Sequence, residues 1–211
     1  LVENGAEGGS ALESISLLAF WTFAAVDWVA VAQERRRLEH VAKPAALAAL
    51  LICAASSPDP KPWLIAALAL SLLGDVYLML PDDRFIAGLS AFLLGHVAYV
   101  VAFASPAGAV LVWLAVVLVA TSPFAVRILR GVPSGGALRP AVVLYMLVIA
   151  AMVASAVASG RWIAALGAVL FLCSDTMIAW SRFVSPFPAA PVAIIVTYHL
   201  GQWGLVESLI R

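Results

Sequence analysis

Residues 140–159 read PAVVLYMLVIAAMVASAVAS. Twenty residues pass without a charge, and the only polar side chains among them are Tyr145, Ser155 and Ser159. As a helix rising 1.5 Å per residue, the run is about 30 Å long, the thickness of a bilayer's hydrocarbon core. A membrane β-strand would alternate apolar and polar residues with a period of two, and this run does not. The segment therefore predicts a transmembrane helix.

Working outward, breaks at Pro, Gly and clustered charges leave similar apolar segments at about 11–32, 44–57, 63–80, 85–104, 107–126, 161–180 and 189–210. The chain has 211 residues, 64% hydrophobic and 11% charged, against roughly 45–50% and about 25% in a soluble domain. Its mean hydropathy is +1.05. The expectation is an all-α, polytopic transmembrane bundle of about eight spans, forming one domain over 11–210 behind a flexible, Gly-rich stretch 1–10. The 44–57 segment is short and spans only by borrowing His40–Lys43, so a seven-span alternative stands beside the eight-span one.

Twelve basic and twelve acidic residues cancel. A nucleic-acid partner is not expected, because phosphate recognition needs a basic stripe. Cys53 and Cys173 lie in apolar runs and read as small packing residues, without zinc-ligand spacing. With eight spans, nine cations fall on one side: Arg35, Arg36, Arg37, Lys43, Arg84, Arg127, Arg130, Arg139 and Arg182. Lys61, Arg161 and Arg211 fall on the other. The positive-inside rule then turns the arginine-rich side to the cytoplasm and both termini away from it.

A repeat runs through the sequence. Lys43-Pro44 opens the second segment and Arg139-Pro140 the sixth; Lys61 precedes Asp75 by 14 residues, as Arg161 precedes Asp175; His96 or His199 follows one helix later. The pattern predicts two parallel four-helix halves with their aspartates facing one another.

A carboxylate at membrane depth costs about 2.5–3.5 kcal/mol on insertion scales, so each one asks for a function. Glu13 and Glu207 lie near helix ends and reach the interface. Asp82, Asp83 and Arg84 make a turn with Pro81. Asp27, Asp75 and Asp175 instead lie about five residues inside the arginine-rich ends of their segments, with Tyr145 at the same depth on the sixth. Lys43 heads the second helix above them, and His96 and His199 lie deeper. These residues, with Tyr198 and Gln202 one turn apart, are expected to share one polar chamber. Structural hydrogen bonding between helices is the competing role, weighed most evenly for Tyr145, Tyr198 and Gln202 and for the pair His96 and Tyr99.

The motifs Lys43-Pro44, Ser71-Leu-Leu-Gly-Asp75-Val-Tyr-Leu-Met-Leu-Pro81, Phe85-Ile-Ala-Gly-Leu-Ser-Ala-Phe92, Gly95-His96-Val-Ala-Tyr99, Leu172-Cys-Ser-Asp175-Thr-Met-Ile-Ala-Trp180 and Thr197-Tyr198-His-Leu-Gly-Gln202 resemble, in order, the YhhN-type lysoplasmalogenase family. The resemblance covers about 43–206. It implies about eight spans and hydrolysis of the vinyl ether bond of lysoplasmalogens to a fatty aldehyde and glycerophosphocholine or glycerophosphoethanolamine. It further implies a lysophospholipid substrate met among membrane lipids, with Lys43, Asp75, His96, Asp175, Tyr198 and Gln202 lining the site. The pattern is departed from at His199, where an aromatic such as Tyr is expected. Asp27 precedes the matching region and rests on depth alone.

Vinyl ether hydrolysis starts with proton transfer to the terminal alkene carbon, and water then adds to the resulting oxocarbenium ion. The chemistry asks for one protonated carboxyl and one carboxylate, as in glycosidases. Two carboxylates in one low-dielectric pocket share a single proton. Asp75 and Asp175 are expected to be that pair, supported by Asp27, Lys43, His96, Tyr145, Tyr198, His199 and Gln202. No metal or other cofactor is expected. Arg35–Arg37 could attract a phosphate, although topology already explains them.

Two other classes use buried aspartates. An aspartyl intramembrane protease carries Gly-x-Gly-Asp, whereas this chain has Leu72-Leu73-Gly74-Asp75. A proton-coupled transporter, or a lipid-binding protein with the same Asp/His set, is the stronger alternative, yet the spans are mostly unbroken. Aldehyde release in detergent, where no gradient exists, separates hydrolase from transporter.

Overall fold

The computed structural model describes residues 3–82 and 84–211, with side chains from residue 11 onward. The stretch expected to be flexible, 1–10, and Asp83 of the expected turn thus lie outside the described side chains. Among the described residues eight helices follow one another: α1 (Glu3–Ala32), α2 (Arg36–Ala55), α3 (Pro62–Met79), α4 (Phe85–Phe103), α5 (Ala107–Gly131), α6 (Leu138–Ala158), α7 (Trp162–Phe183) and α8 (Ala190–Ile210). The described residues contain no strand. The all-α polytopic bundle expected from the sequence is what the chain forms.

Local chemistry accounts for the boundaries. Pro62 and Pro191 sit in the first turns of α3 and α8, where a missing N–H costs nothing. Two helices run further than expected through an internal proline. α2 starts at Arg36 and carries Pro44 inside, giving 20 residues, enough to span. α5 continues through Pro123 to Gly131. Pro123 cannot donate to the carbonyl of Val119, and the Ser122 hydroxyl takes its place at 2.8 Å. The Thr121 hydroxyl donates in addition to the Val117 carbonyl at 2.8 Å.

Seven helices, α1 to α7, are long and apolar enough to cross a membrane. The outlier is α8 rather than the short second segment, because Thr197, Tyr198, His199 and Gln202 dilute its apolar character. Those last three side chains are buried, and α8 is held among α1, α2 and α7. Gly167 on α7 faces Gly201 and Gly204 on α8. A Cβ on Gly201 would lie 2.9 Å from the Phe171 nitrogen, and one on Gly204 2.9 Å from Gly167 Cα. Only glycine permits that backbone approach.

The core runs through Phe20, Leu47, Leu50, Leu64, Leu68, Tyr99, Met152, Phe171 and Leu205. Consecutive helices pack within 1–4 and within 5–8, and between the halves α4 meets α6 as α8 meets α2. Tyr99 and Gln202, each three residues after its histidine, are joined across the halves by a 2.5 Å hydrogen bond from the tyrosine hydroxyl. α5 is the outlying wall, with Val117 and Ile128 its buried residues.

Candidate active site

Asp175 comes from the middle of α7, eight residues from its end rather than five, because α7 extends to Phe183. The Tyr145 hydroxyl, from α6, donates to Asp175 Oδ2. His96 on α4 brings Nε2 to 4.0 Å from the same oxygen. Its Nδ1 is 2.6 Å from the Phe92 carbonyl, which can only accept. In the neutral ring Nδ1 therefore carries the hydrogen, and Nε2 turns a lone pair towards Asp175. The rings of Tyr145 and Phe171 hold the imidazole edge-on, with centroids 5.3 and 4.8 Å away.

Asp75 on α3 belongs to a second group. Lys43 Nζ is 2.8 Å from Asp75 Oδ1, and the Tyr198 hydroxyl donates to Oδ2 at 2.6 Å. The ammonium also lies 5.2 Å from the Tyr198 ring centroid. Gln202 donates from Nε2 to the Tyr198 hydroxyl at 3.4 Å and accepts at Oε1 from the Tyr99 hydroxyl. Asp75 is completely buried, whereas the Lys43 side chain keeps 16% of its surface. Lys43 thus chooses Asp75, a pairing that the sequence left open between the aspartates.

Asp27 and His199 form a third group between α1 and α8. Trp28 Nε1 donates to His199 Nδ1 at 3.0 Å, which assigns the ring hydrogen to Nε2. That nitrogen faces Asp27 Oδ2 across 4.0 Å, and both residues are fully buried. An aromatic side chain at position 199 would offer Trp28 no ring nitrogen to bond. The histidine that departs from the family pattern is therefore matched by two α1 residues lying outside the region of resemblance.

A cavity of about 250 Å³ opens between α5 and the helices α3, α4, α6 and α7. Its walls include Leu89, Phe92, Leu118, Ile128, Ile149 and Leu172, and at mid-height Asp175 and Tyr145. Thr121 and Ser122 also line it, but their hydroxyls are spent on their own helix. The expected single chamber is therefore divided. Of the nine candidate residues Asp175 and Tyr145 border the cavity; His96 touches it through Asp175, and the Asp75 and Asp27 groups lie behind. Glu207 is paired with Arg211 at 2.6 Å, and Arg35–Arg37 are exposed at the α1–α2 turn, away from the cavity.

Two participants escaped the sequence reading, and a third, Tyr99, was paired there with His96. Thr176 lines the cavity beside Asp175, Trp28 fixes His199, and Tyr99 anchors Gln202 rather than pairing with His96. For Trp28 and Thr176 the available signal was adjacency to an aspartate, and for Tyr99 its three-residue spacing from His96.

The YhhN family model matches residues 38–209. Human lysoplasmalogenase TMEM86B is 35% identical over 150 residues, covering 69% of this chain and 62% of that one. The pig protein of the same name is 34% identical over 140 residues, covering 64% and 58%. A lysoplasmalogenase of Mycobacterium bovis is 32% identical over 169 residues, covering 73% and 64%. The chain thus spans about six tenths of the length of these curated relatives. No solved structure matches it.

Proposed function

The chain belongs to the YhhN family, and on that premise we propose that it is a multi-pass membrane enzyme that hydrolyses the vinyl ether bond of lysoplasmalogens. The relatives named lysoplasmalogenase support the reaction. The observation that carries it to this chain is a carboxyl group, held by a tyrosine hydroxyl, set in the wall of an otherwise apolar cavity. An alkenyl chain fills such a cavity, and its first double bond is the group that a carboxyl there meets.

Asp175 is assigned as the acid and Asp75 as the ionised partner. Asp75 has an ammonium at 2.8 Å, which stabilises its negative charge. Asp175 faces instead the lone pair of the His96 imidazole, 4.0 Å away, which suits a protonated carboxyl, and the Tyr145 hydroxyl holds its Oδ2 in place. Asp175 gives its proton to the alkene carbon that is not bonded to oxygen, leaving an oxocarbenium ion and its own carboxylate. Water adds to the cation and returns a proton to Asp175. The hemiacetal then breaks its bond to the glycerol oxygen, which takes the hydroxyl proton, and aldehyde and alcohol leave. The Asp75 carboxylate, behind the cavity wall, steadies the cation through its charge rather than by contact, and Tyr145 and His96 keep Asp175 aimed. Lys43, Tyr198 and Gln202 fix Asp75, while Asp27 and His199 support them through α8.

The arginine-rich ends face the cytoplasm in this reading, with both termini on the other side of a bacterial inner membrane, and 11–210 acts as one domain. A lysolipid in the cytoplasmic leaflet then carries its vinyl ether on the side of the bilayer to which Asp175, eight residues from the end of α7, lies nearer. The test is aldehyde release from a lysoplasmalogen by the purified chain in detergent. Asp175→Asn is expected to lower kcat by about 10²–10⁴, with Asp75→Asn also strongly impaired. Full activity in folded Asp175→Asn would overturn the assignment, and an absence of aldehyde from the unmodified chain would overturn the hydrolase reading.

A further inference from the structure

Five polar side chains reach the cavity among its described lining residues: Thr121, Ser122, Tyr145, Asp175 and Thr176. Three of the four hydroxyls are committed. Thr121 donates to the Val117 carbonyl and Ser122 to that of Val119, each at 2.8 Å, which turns both oxygens back along α5. Tyr145 donates to Asp175 Oδ2. The Thr176 hydroxyl bonds to none of the described residues. It leaves even the Leu172 carbonyl one turn back, the kind of partner that Thr22, Ser90 and Thr197 take at 2.7–2.8 Å. A hydroxyl without a partner in apolar surroundings is costly, and what satisfies this one has to come from the cavity.

Leu172, Thr176, Ala179 and Phe183 recur along α7 at spacings of four, three and four, the spacing of one helix face, and all four line the cavity. Asp175 lies three residues after Leu172 and four before Ala179, so it leaves that face beside Thr176. A water molecule stays in a cavity only where it finds two or more polar partners. The adjacent carboxyl and hydroxyl are two. The chemistry also says what the hydroxyl is for. A hydrogen bond donated to the vinyl ether oxygen would draw off the lone pair that becomes the oxocarbenium bond, so the proton-transfer step has no use for one. The water that follows needs its hydrogens held and a lone pair left free.

We propose that Thr176 seats the water that adds to the oxocarbenium ion. The seat deepens the lysoplasmalogenase reading and rests on it for the reaction. Once Asp175 has given its proton to the alkene carbon that is not bonded to oxygen, the water donates one hydrogen to the new carboxylate and the other to Thr176 Oγ1. Its free lone pair forms the new bond to the oxygen-bearing carbon. The proton held by the carboxylate passes to Asp175, which leaves a neutral hemiacetal and the acid restored. Thr176 exchanges no proton; it fixes where the water stands. With the seat empty, the cation has one other course within the cavity, which is to hand the added proton back to Asp175 and become the alkene again.

That return leaves a mark. In D2O the Asp175 proton is deuterium, so each return puts deuterium on the alkene carbon not bonded to oxygen of lysoplasmalogen that has not been hydrolysed. Purified chain is run on a lysoplasmalogen in D2O to partial conversion, and mass spectrometry reads deuterium in the recovered substrate against aldehyde released. The ratio comes from the same active molecules and is independent of how much of a variant folds. Thr176→Val, which keeps the shape and loses the hydroxyl, is expected to lower kcat by about tenfold and to raise the exchange-to-hydrolysis ratio by about the same factor, the worth of one hydrogen bond. Thr176→Ser, which keeps the hydroxyl, is expected to hold the ratio near that of the unmodified chain. A fall in kcat with the ratio unmoved in Thr176→Val would make the residue structural and overturn the seat. Unchanged kcat overturns it as well. A rise in KM alone would assign the hydroxyl to the lipid, its glycerol hydroxyl included, and overturn it too. If the unmodified chain releases aldehyde and the ratio does not shift, the seat alone falls; if it releases none, the hydrolase reading falls and takes the seat with it.

Discussion

Each aspartate in the membrane is defined by its nearest donor. Asp75 has Lys43 at 2.8 Å and a tyrosine hydroxyl at 2.6 Å; Asp175 has a tyrosine hydroxyl and an imidazole that offers only a lone pair. A buried ion pair is costly to form and costlier to break on one side. Lys43→Met should therefore destabilise the chain by about 3–5 kcal/mol, while the double variant Lys43→Met/Asp75→Leu should recover most of that loss and remain inactive. Thermal unfolding in detergent beside the aldehyde assay checks both parts. At this scale the sequence exposed which residues mattered better than how they pair. Depth along a helix follows from counting residues, which singled out Asp27, Asp75, Asp175 and Tyr145. Azimuth does not, because helices apolar all round carry no polar face to show which side turns inward.

Helix by helix, the apolar runs located all eight elements, and the misjudged ends share one cause. Pro44 and Arg127 were read as stops, yet Pro44 lies inside α2, and α5, already expected to contain Pro123, runs on through Arg127, with Ser122 satisfying the carbonyl that Pro123 leaves free. What no run length discloses is the closeness of α7 to α8. Gly201→Val would drive branched carbons into the Phe171 backbone, 2.9 Å from an added Cβ. The expected outcome is a chain that unfolds at markedly lower temperature and loses the Tyr198–Asp75 bond, seen as joint loss of monodispersity and activity. Ala104, which ends α4, is strained differently: its φ is 47°, in the left-handed region. Ala104→Gly should raise stability by about 1 kcal/mol, measured as a higher unfolding temperature with unchanged activity.

At the scale of the molecule, two four-helix halves meet along α4–α6 and α2–α8, and the cavity lies where α5 stands off from the rest. Its deep wall decides how much chain it accepts. Leu118→Trp, on the outlying helix, is expected to shift preference towards shorter alkenyl chains, visible as a fall in kcat/KM for long-chain substrates alone. The recurrence of Asp75 and Asp175, and of His96 and His199, at nearly constant offset was legible in the sequence; the cavity was not, because it is a property of helix spacing. The polarity of α8 has a consequence before any lipid is bound. Seven helices are apolar enough to leave an insertion channel for the bilayer individually, but α8, with Tyr198, His199 and Gln202 still unpaired, is not. It has to enter as a hairpin with α7, the glycine contact forming during biogenesis rather than after it. Lesions along that seam should thus be recognised by the cell's membrane quality control, as missing protein more than as slow enzyme.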